Sequence, residues 1–385
     1  MQSRSFNPSI KIPCPYQNSC NGCQYLHLTY SEQLDLKKNE LSDLLSRKNL
    51  STPGVEVLTA GPAYLRDRLD FSLQGGRLGL YAKDAHDIVD IDICAQLSPA
   101  LQEWLAEFRT YNWPVEKGSV RLRVGPHGER GVWLDFANVD IKKILDEKSL
   151  LQRLQKTAFV EIGQRRKVPF WNGSEFKLKD PELNVWFNTW MNGDAVSLYC
   201  HVASFTQPSH KANELIGQTI SSWVGRYPKA RVIEFGSGIG NLTLPALASA
   251  SSLVACEIDA LSLEGLEKSV AMLPGSLKAH AQKLTIHRGD FQKKILKDFS
   301  EFDGILANPP RSGLMSFLNP LEELKPEQRP SFFIYMSCFP ESMAVDLVKL
   351  KNYGYEMKEC VILDQFPQST HYEVLTLLER KKTQP

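Results

Sequence analysis

A cysteine and a glutamate near the C-terminus carry the side chains that covalent acid–base chemistry requires. Cys338 lies in S-C-F-P (337–340), directly after the apolar run 332–335, and a cysteine on such a loop is a candidate nucleophile. Glu373 enters the apolar run H-Y-E-V-L (371–375), where a carboxylate could act as a base. Taken singly, each also has a structural interpretation, as an inert buried thiol and as a solvated acid at a strand edge.

Four further cysteines have spacings that suit metal ligands. They comprise a C-x5-C-x2-C cluster and a later cysteine after a predicted strand that could return to it: Cys14, Cys20, Cys23 and Cys94. Eight cysteines in 385 residues are too few for a disulfide scaffold, and such a cluster in a cytosolic chain favours metal binding. Zinc and an iron–sulfur cluster both fit four thiolates, and the spacing does not separate them.

A glycine-rich loop and a later acid indicate a nucleoside cofactor. The sequence E-F-G-S-G-I-G-N (234–241) follows an apolar run and precedes a helical pattern, and its glycines let the backbone approach a ligand closely. Glu257 ends the next apolar run, where a carboxylate can accept both ribose hydroxyls. The spacing G-x-G-x-G, rather than G-x-G-x-x-G, favours S-adenosylmethionine over NAD. A tight structural turn would explain the glycines alone.

A second rigid loop, N-P-P-R-S-G (308–313), follows the apolar run 304–307. Two prolines beyond a strand end make a stiff loop at the carboxyl edge of a sheet, where α/β enzymes bind substrates. An aromatic residue after N-P-P would indicate methylation of an exocyclic amine. Arg311 occupies that position instead, so we set amine methylation aside; a structural Pro-Pro turn is the alternative interpretation.

The elements that must position these residues fall into three predicted units. Residues 205–385 alternate short β-branched or aromatic runs with helical sequence, which predicts an α/β domain with a mostly parallel, doubly wound sheet. Residues 51–204 alternate apolar and polar positions and predict a β-rich domain of antiparallel strands. Residues 1–50 hold the cysteine cluster and an amphipathic helix, for which Ser31 is the expected N-cap.

Composition excludes several classes of protein. With 42% hydrophobic residues, 23% charged residues and a net charge of +1, the chain is neither disordered nor fibrous. No stretch approaches the ~18–20 consecutive apolar residues of a membrane span, and no signal-peptide core follows the N-terminus. We therefore expect a cytoplasmic protein without membrane association.

In combination, the motifs resemble the RNA (uracil-C5)-methyltransferase family. The glycine-rich loop, N-P-P-R-x-G, S-C-x-P and H-Y-E-V-L follow one another in that order, and the resemblance covers nearly the whole chain. Asn308 stands where most members have Asp. In this respect the chain is similar to the branch that methylates 23S ribosomal RNA and lacks an N-terminal TRAM domain, which also has Asn there. The ending D-Q-F-P (364–367) and the start close to the cysteine cluster also fit that branch.

The resemblance implies roles for individual residues. Four positions match the family's cofactor contacts: Gln207, Gly236, Glu257 and Asn308; Asp290 stands where class I methyltransferases often have an acid near the adenine. Four match the ligands of a [4Fe-4S] cluster: Cys14, Cys20, Cys23 and Cys94. Cys338 is implied to be the nucleophile and Glu373 the general base. The chain departs from the family at E-F-G-S-G, where D-x-x-C-G is usual, and at Phe339, where Asn is usual; neither change removes a reacting group.

The implied reaction is methylation of uracil at C5. A thiolate adds to C6 and makes C5 nucleophilic, and a base later removes the C5 proton so that the thiolate can leave. The uridine must be flipped out of folded RNA to reach the pocket, and the β-rich domain is expected to contact that RNA. The expected substrate is 23S ribosomal RNA, at uracil-747, with no obligate protein partner. The alternatives are another 23S uridine, transfer RNA, or a metal-containing RNA-binding protein without catalysis.

Overall fold

Strands and helices alternate along the C-terminal half of the chain, whereas short strands dominate the N-terminal half. The computed structural model describes residue 7 and residues 9–84, 86–136, 141–289 and 299–381. Within those ranges the strands are β1 (Glu56–Thr59), β2 (Arg68–Gln74), β3 (Arg77–Tyr81), β4 (Ile88–Asp90), β5 (Lys117–Val124), β6 (Arg130–Asp135), β7 (Phe159–Ile162), β8 (Val168–Trp171), β9 (Phe176–Lys179), β10 (Asn184–Met191), β11 (Asp194–Cys200), β12 (Arg231–Phe235), β13 (Ser252–Glu257), β14 (Leu284–Arg288), β15 (Gly304–Ala307), β16 (Phe332–Ser337), β17 (Tyr355–Asp364) and β18 (Glu373–Arg380).

The α-helices of the same ranges cover the sheets or connect their strands. They are α1 (Tyr30–Arg47), α2 (Pro99–Phe108), α3 (Ile141–Asp146), α4 (Lys148–Gln155), α5 (His210–Gly225), α6 (Thr243–Ser249), α7 (Ala260–Ala271), α8 (Asn319–Glu323) and α9 (Pro340–Asn352). Helix α1 begins two residues earlier than expected, because Thr29 rather than Ser31 is its N-cap. Thr29 and Glu32 form a capping box, in which each side chain bonds the other's backbone N–H.

The C-terminal half is organised around one mixed sheet. In the described residues this sheet has eight strands in the order β1-β17-β18-β16-β15-β12-β13-β14. The expected parallel arrangement is found for β12–β16, whereas β18 runs antiparallel between β16 and β17. This α/β sheet with one inserted antiparallel strand is the class I methyltransferase topology. Fully buried strands such as Phe332–Ser337 follow from helices that cover both faces.

The N-terminal half forms a second sheet of its own. Six of the described strands lie in the order β4-β3-β2-β5-β6-β7, antiparallel except for the β6–β7 pair. Helices α2 and α4 pack on it around buried Trp104, Leu151 and Leu154. This sheet lies within the range where the sequence alternates apolar and polar positions.

Two elements from before residue 205 pack with the C-terminal sheet. Strand β1 pairs in parallel with β17 at the sheet edge. The β10–β11 hairpin shares one hydrophobic core with α5, α6 and α7, through residues such as Trp186 and Leu198. The expected boundary near residue 205 thus falls between β11 and α5, within a continuous core.

Helix α1 is tied to the end of β17 by a buried ion pair. Lys37 Nζ lies 2.8 Å from Asp364 Oδ1, and both side chains are fully buried. The Tyr30 hydroxyl donates to the other carboxylate oxygen at 2.7 Å, and Lys37 also donates to the Phe366 carbonyl at 3.1 Å. Each carboxylate oxygen of Asp364 is therefore bonded by a side chain of the N-terminal helix.

Among the helices of the described residues, we find none with the length and apolar character needed to span a lipid bilayer.

Replacing Lys37 should destabilise the fold more than replacing an exposed lysine. The change Lys37→Met leaves Asp364 buried without its cation, which should lower the free energy of unfolding by about 3–5 kcal/mol. Lys179→Met, which removes an exposed pair with Glu182, should cost no more than about 1 kcal/mol. Urea denaturation measures both. Equal losses in the two variants would contradict the structural role of the buried pair.

Candidate active site

The candidate nucleophile and base lie on neighbouring strands at one edge of the sheet. The register pairs Ser337 of β16 with Val374 of β18. These strands are antiparallel, so the residue after Ser337 is opposite the residue before Val374. Cys338 and Glu373 therefore lie side by side. Glu373 is also paired with Leu363 of β17, so it begins its strand between the ends of two others. Two residues that are 35 positions apart in sequence therefore occupy neighbouring register positions.

The surroundings of Glu373 favour a proton acceptor that works near neutrality. Glu373 is buried, and burial raises the pKa of its carboxyl to about 7, against the opposing influence of a hydrogen bond from Gln365 and the charge of Arg311. A carboxylate with that pKa exchanges protons readily near pH 7.

Cys338 is half-buried and belongs to the same electrostatic unit. Burial raises the pKa of its thiol, and the negative charge of Glu373 raises it further. A hydrogen bond and the positive charge of Arg311 act in the opposite direction. Arg311 therefore favours the ionised form of both groups, a role that the N-P-P-R sequence did not suggest beyond excluding an aromatic residue.

The loop that carries Arg311 is held by a buried aspartate. Asp346 of α9 accepts hydrogen bonds from the Leu314 N–H and the Tyr335 hydroxyl, each at 2.7 Å. Gly313 has φ of 79°, and a Cβ there would lie 2.5 Å from Asp346 Oδ2. The glycine is thus required for the loop to pack this closely, and the packing fixes the direction of the chain at Arg311.

Two glutamines extend the site behind Glu373. Gln365, just after β17, donates from Nε2 to Glu373 Oε1 at 3.1 Å and to Gln207 Oε1 at 2.8 Å. All three side chains are buried. Gln207 was expected at the cofactor, and the structure links it to the candidate base. Gln365 was not singled out, although it lies in the D-Q-F-P motif that contributed to the resemblance.

Three of the expected cofactor residues, Gly236, Glu257 and Asn308, lie at the carboxyl ends of β12, β13 and β15. The Glu257 carboxylate accepts hydrogen bonds from the N–H groups of Gly238 at 2.9 Å and Asp259 at 2.8 Å. Gly236 has φ of 72°, and a Cβ there would lie 3.4 Å from the Asn308 carbonyl, whereas a Cβ at Gly238 would meet nothing within 4 Å. The loop is therefore an open cradle beside a fixed carboxylate, which fits a nucleoside ligand. The expected adenine contact, Asp290, lies outside the described residues.

A buried acid in the glycine-rich loop was not anticipated. Glu234 precedes Gly236 by two residues, and its complete burial raises the pKa of the carboxyl to about 8. Within the described ranges its Oε2 atom has no hydrogen-bond partner. The sequence signal was present, because Glu234 stands where the resembling family has an aspartate.

The four N-terminal cysteines line one cavity beside the six-stranded sheet. This cavity has a volume of about 220 Å³, and Cys14, Cys20, Cys23 and Cys94 share it with Arg66 and with aliphatic side chains. Burial, together with the other three cysteines, raises the pKa of the Cys23 thiol to about 12. In the part of the chain that the structure describes, no three His, Cys, Asp or Glu side chains form a group that could hold a metal ion. The four thiols line a cavity and do not converge on the position of a single metal ion.

A cationic and aromatic surface lies near Gln207. Arg68 has its guanidinium 5.1 Å from the ring of Phe205, which is 68% exposed. Burial, together with the charges of Arg121 and other arginines, lowers the pKa of Arg68 to about 9. Its Nε and Nη1 atoms have no hydrogen-bond partner among the described residues. An anion placed here would relieve both the unpaired donors and the repulsion between arginines.

Comparisons with known proteins agree with this geometry. Residues 191–381 match the family model described as tRNA (Uracil-5-)-methyltransferase. The chain is 62% identical over 379 residues to an uncharacterized RNA methyltransferase of Bdellovibrio bacteriovorus, with 98% of each chain covered. It is 26% identical over 392 residues to the 23S rRNA (uracil(1939)-C(5))-methyltransferase RlmD of Shewanella baltica, covering 97% of this chain and 83% of that protein.

Among solved structures, a similar one is the Pyrococcus abyssi tRNA (uracil-54, C5)-methyltransferase in complex with S-adenosyl-L-homocysteine. The two share 19% identity and superpose with a TM-score of 0.68, over 93% of this chain and 86% of that one. At this identity the likeness concerns the fold, which extends over both halves of the chain.

Proposed function

The chain belongs to the RNA (uracil-5-)-methyltransferase family, and on that premise we propose that it methylates C5 of a uridine in 23S ribosomal RNA, with Cys338 as nucleophile and Glu373 as general base. As a member of that family it is a transferase that uses S-adenosylmethionine. The observation that carries the proposed mechanism is the side-by-side position of Cys338 and Glu373 with Arg311 facing both.

The chemistry assigns a distinct task to each group. S-adenosylmethionine, when bound, supplies an electrophilic methyl group; Gly236, Glu257, Asn308 and Gln207 are the residues proposed to hold it. Arg311 favours the Cys338 thiolate, which adds to uracil C6 and leaves a pair of electrons at C5. Once C5 carries the methyl group, Glu373 takes the C5 proton, the C5–C6 double bond re-forms, and the thiolate leaves.

The cationic and aromatic surface formed by Arg68 and Phe205 supports an RNA substrate. Phosphate contacts position nucleic acids on proteins, and single-stranded bases stack on exposed aromatic rings. Arg68 offers unpaired donors and Phe205 an exposed ring, close in sequence to Gln207. We propose that RNA next to the flipped uridine contacts this surface. We also propose that the reaction takes place in the cytoplasm, because the substrate is RNA.

Within 23S ribosomal RNA we propose uracil-747 as the target. The support is the resemblance, through Asn308 before the two prolines and the D-Q-F-P ending, to the branch that modifies that position. Uracil-1939 is the second candidate, because the RlmD relatives named for it align over almost the whole of this chain. A transfer RNA target is the third, since the family model carries that name.

We further propose that the four N-terminal cysteines hold a [4Fe-4S] cluster. Thiolates on a single zinc ion lie within about 4 Å of each other, because Zn–S bonds are about 2.3 Å long. The thiols here instead surround a cavity of about 220 Å³ in aliphatic surroundings, which suits a larger inorganic core. Bound there, the cluster would cross-link the N-terminal segment to the loop after β4, which carries Cys94.

Two substitutions separate the proposed steps on unmodified 23S ribosomal RNA transcribed in vitro. Cys338→Ala should lower methyl transfer at least about a thousandfold, while S-adenosylmethionine still binds. Glu373→Gln should form the Cys338–C6 adduct but release it about a hundredfold more slowly, so that a protein–RNA complex accumulates on a denaturing gel. Wild-type rates in Cys338→Ala, or normal release in Glu373→Gln, would contradict these roles. Bulk transfer RNA, assayed in parallel, tests the competing substrate.

Protein purified without oxygen should be brown and contain about four iron and four sulfide ions per chain. Cys23→Ser should remove the colour and most of the iron, whereas Cys338→Ala, which changes a cysteine outside the cavity, should keep both. Absorbance and iron and sulfide analysis measure the outcome. Colourless protein with one zinc ion would contradict the cluster but leave the four ligands in place.

A further inference from the structure

Gln365 occupies the junction between the candidate base and a candidate cofactor contact. Its side chain is fully buried, and its amide Nε2 donates to Glu373 Oε1 at 3.1 Å and to Gln207 Oε1 at 2.8 Å. Its own Oε1 has no partner within the described residues. Both protons of one NH₂ group are therefore engaged, each by an acceptor from a different part of the site.

The chemistry of the two acceptors fixes the orientation of the Gln365 amide. An ionised carboxylate can only accept hydrogen bonds, so it must face the NH₂ end of a neutral amide. The same NH₂ occupies the Gln207 carbonyl, which leaves the Gln207 NH₂ as the end of that side chain available to a ligand. Rotating the Gln365 amide by 180° would place its oxygen against two acceptors at once.

The backbone around Gln365 is held by the N-terminal segment. Asp364 accepts from Lys37 and Tyr30, as described above. On the other side the ring of Phe366 lies 5.1 Å from the guanidinium of Arg66, which lines the cysteine cavity. Further along, the 365–369 loop is tied to α1 at two points: Gln33 Nε2 donates to Gln368 Oε1, and Gln33 Oε1 accepts from the Gln368 N–H, each at 2.9 Å. The loop therefore has little freedom to move the amide away from Glu373.

We propose that Gln365 is a positioning residue that holds Glu373 and Gln207 in the orientations their roles require. This inference rests on the proposed function, because it assigns to Gln365 an action through the base and the cofactor contact. It also connects the N-terminal segment to the active site, because the contacts that fix the Gln365 loop come from α1 and from Arg66.

A pH dependence follows for the step in which Glu373 accepts the C5 proton. Arg311 and Cys338 interact electrostatically with Glu373, His371 precedes it by two residues, and the buried Lys37–Asp364 pair adjoins Gln365 in the chain. Of these, Arg311 stabilises the charged carboxylate, and the Gln365 hydrogen bond does so as well. Removing that bond should raise the pKa of Glu373 above about 7. Since the base works only when ionised, the midpoint of the step should move to higher pH.

The experiment isolates that step by a pH jump. The enzyme–RNA adduct is formed at pH 6 with unmodified 23S ribosomal RNA and S-adenosylmethionine, then shifted to a series of higher pH values while adduct breakdown is followed on a denaturing gel. For Gln365→Met, which keeps the volume and removes both hydrogen bonds, the midpoint should rise by about one pH unit. Breakdown at pH 7 should slow about fivefold and recover nearly to the wild-type rate at pH 9.

Two further variants make the result specific. Gln365→Glu should shift the midpoint at least as far, because a second carboxyl group cannot donate to Glu373 when ionised. Gln218→Met removes a comparable hydrogen bond to Glu214 on the surface of α5 and should leave the midpoint unchanged. Titration calorimetry should also show weaker S-adenosylmethionine binding in Gln365→Met, because the Gln207 amide is no longer oriented. A slower reaction with an unchanged midpoint would indicate a structural role only.

The outcomes separate this inference from the proposed function. If the wild-type enzyme forms no covalent adduct with RNA, the proposed function fails and the inference fails with it. If the wild-type adduct forms and breaks down with a midpoint near pH 7, but both Gln365 variants keep that midpoint and the wild-type cofactor affinity, the inference alone is overturned.

Discussion

Burying a carboxylate among apolar strands costs free energy that hydrogen bonds or opposite charges must offset. This constraint on Glu373 organises the C-terminal half of the protein. The residue begins β18 at the point where β16 and β17 both end. Its two polar supports, Gln365 and Arg311, come from the loops that follow β17 and β15. The inserted antiparallel strand therefore brings the candidate base to the edge where the parallel strands present the candidate nucleophile and the expected cofactor residues.

The same constraint gives the N-terminal segment a place in the active site. Gln365 can support Glu373 only if its loop is fixed, and the groups that fix it lie before residue 70. Lys37 neutralises Asp364, and Arg66 connects Phe366 to the cavity lined by four cysteines. A cluster in that cavity would stabilise the segment from one side while α1 anchors it from the other. On this view the N-terminal cysteines act on catalysis through packing and not by contact with the uridine.

The sequence predicts the parts of the site that lie at the ends of parallel strands. Glu257 and Asn308 follow apolar runs, and the rule that ligands bind at the carboxyl edge of such sheets brings them together. The meeting of Cys338 and Glu373 was expected from the resemblance and is found in the register of β16 and β18.

Interactions that depend on tertiary packing were not predictable in this way. Gln365 forms its hydrogen bonds with residues 158 and 8 positions away, which no local pattern encodes. The placement of β1 beside β17, and of the β10–β11 hairpin on α5, also escaped the periodicity, because a strand's sequence indicates its burial and not its partner. The balance that Arg311 sets between Cys338 and Glu373 likewise required the three-dimensional arrangement.

The most direct test of the central claim is to map 5-methyluridine in 23S ribosomal RNA from cells with and without the gene. We expect that one 5-methyluridine, at the position equivalent to uracil-747, disappears on deletion. The wild-type gene should restore it and a gene carrying Cys338→Ala should not. Unchanged methylation of 23S ribosomal RNA in the deletion strain would contradict the proposed function, whatever the methylation of transfer RNA.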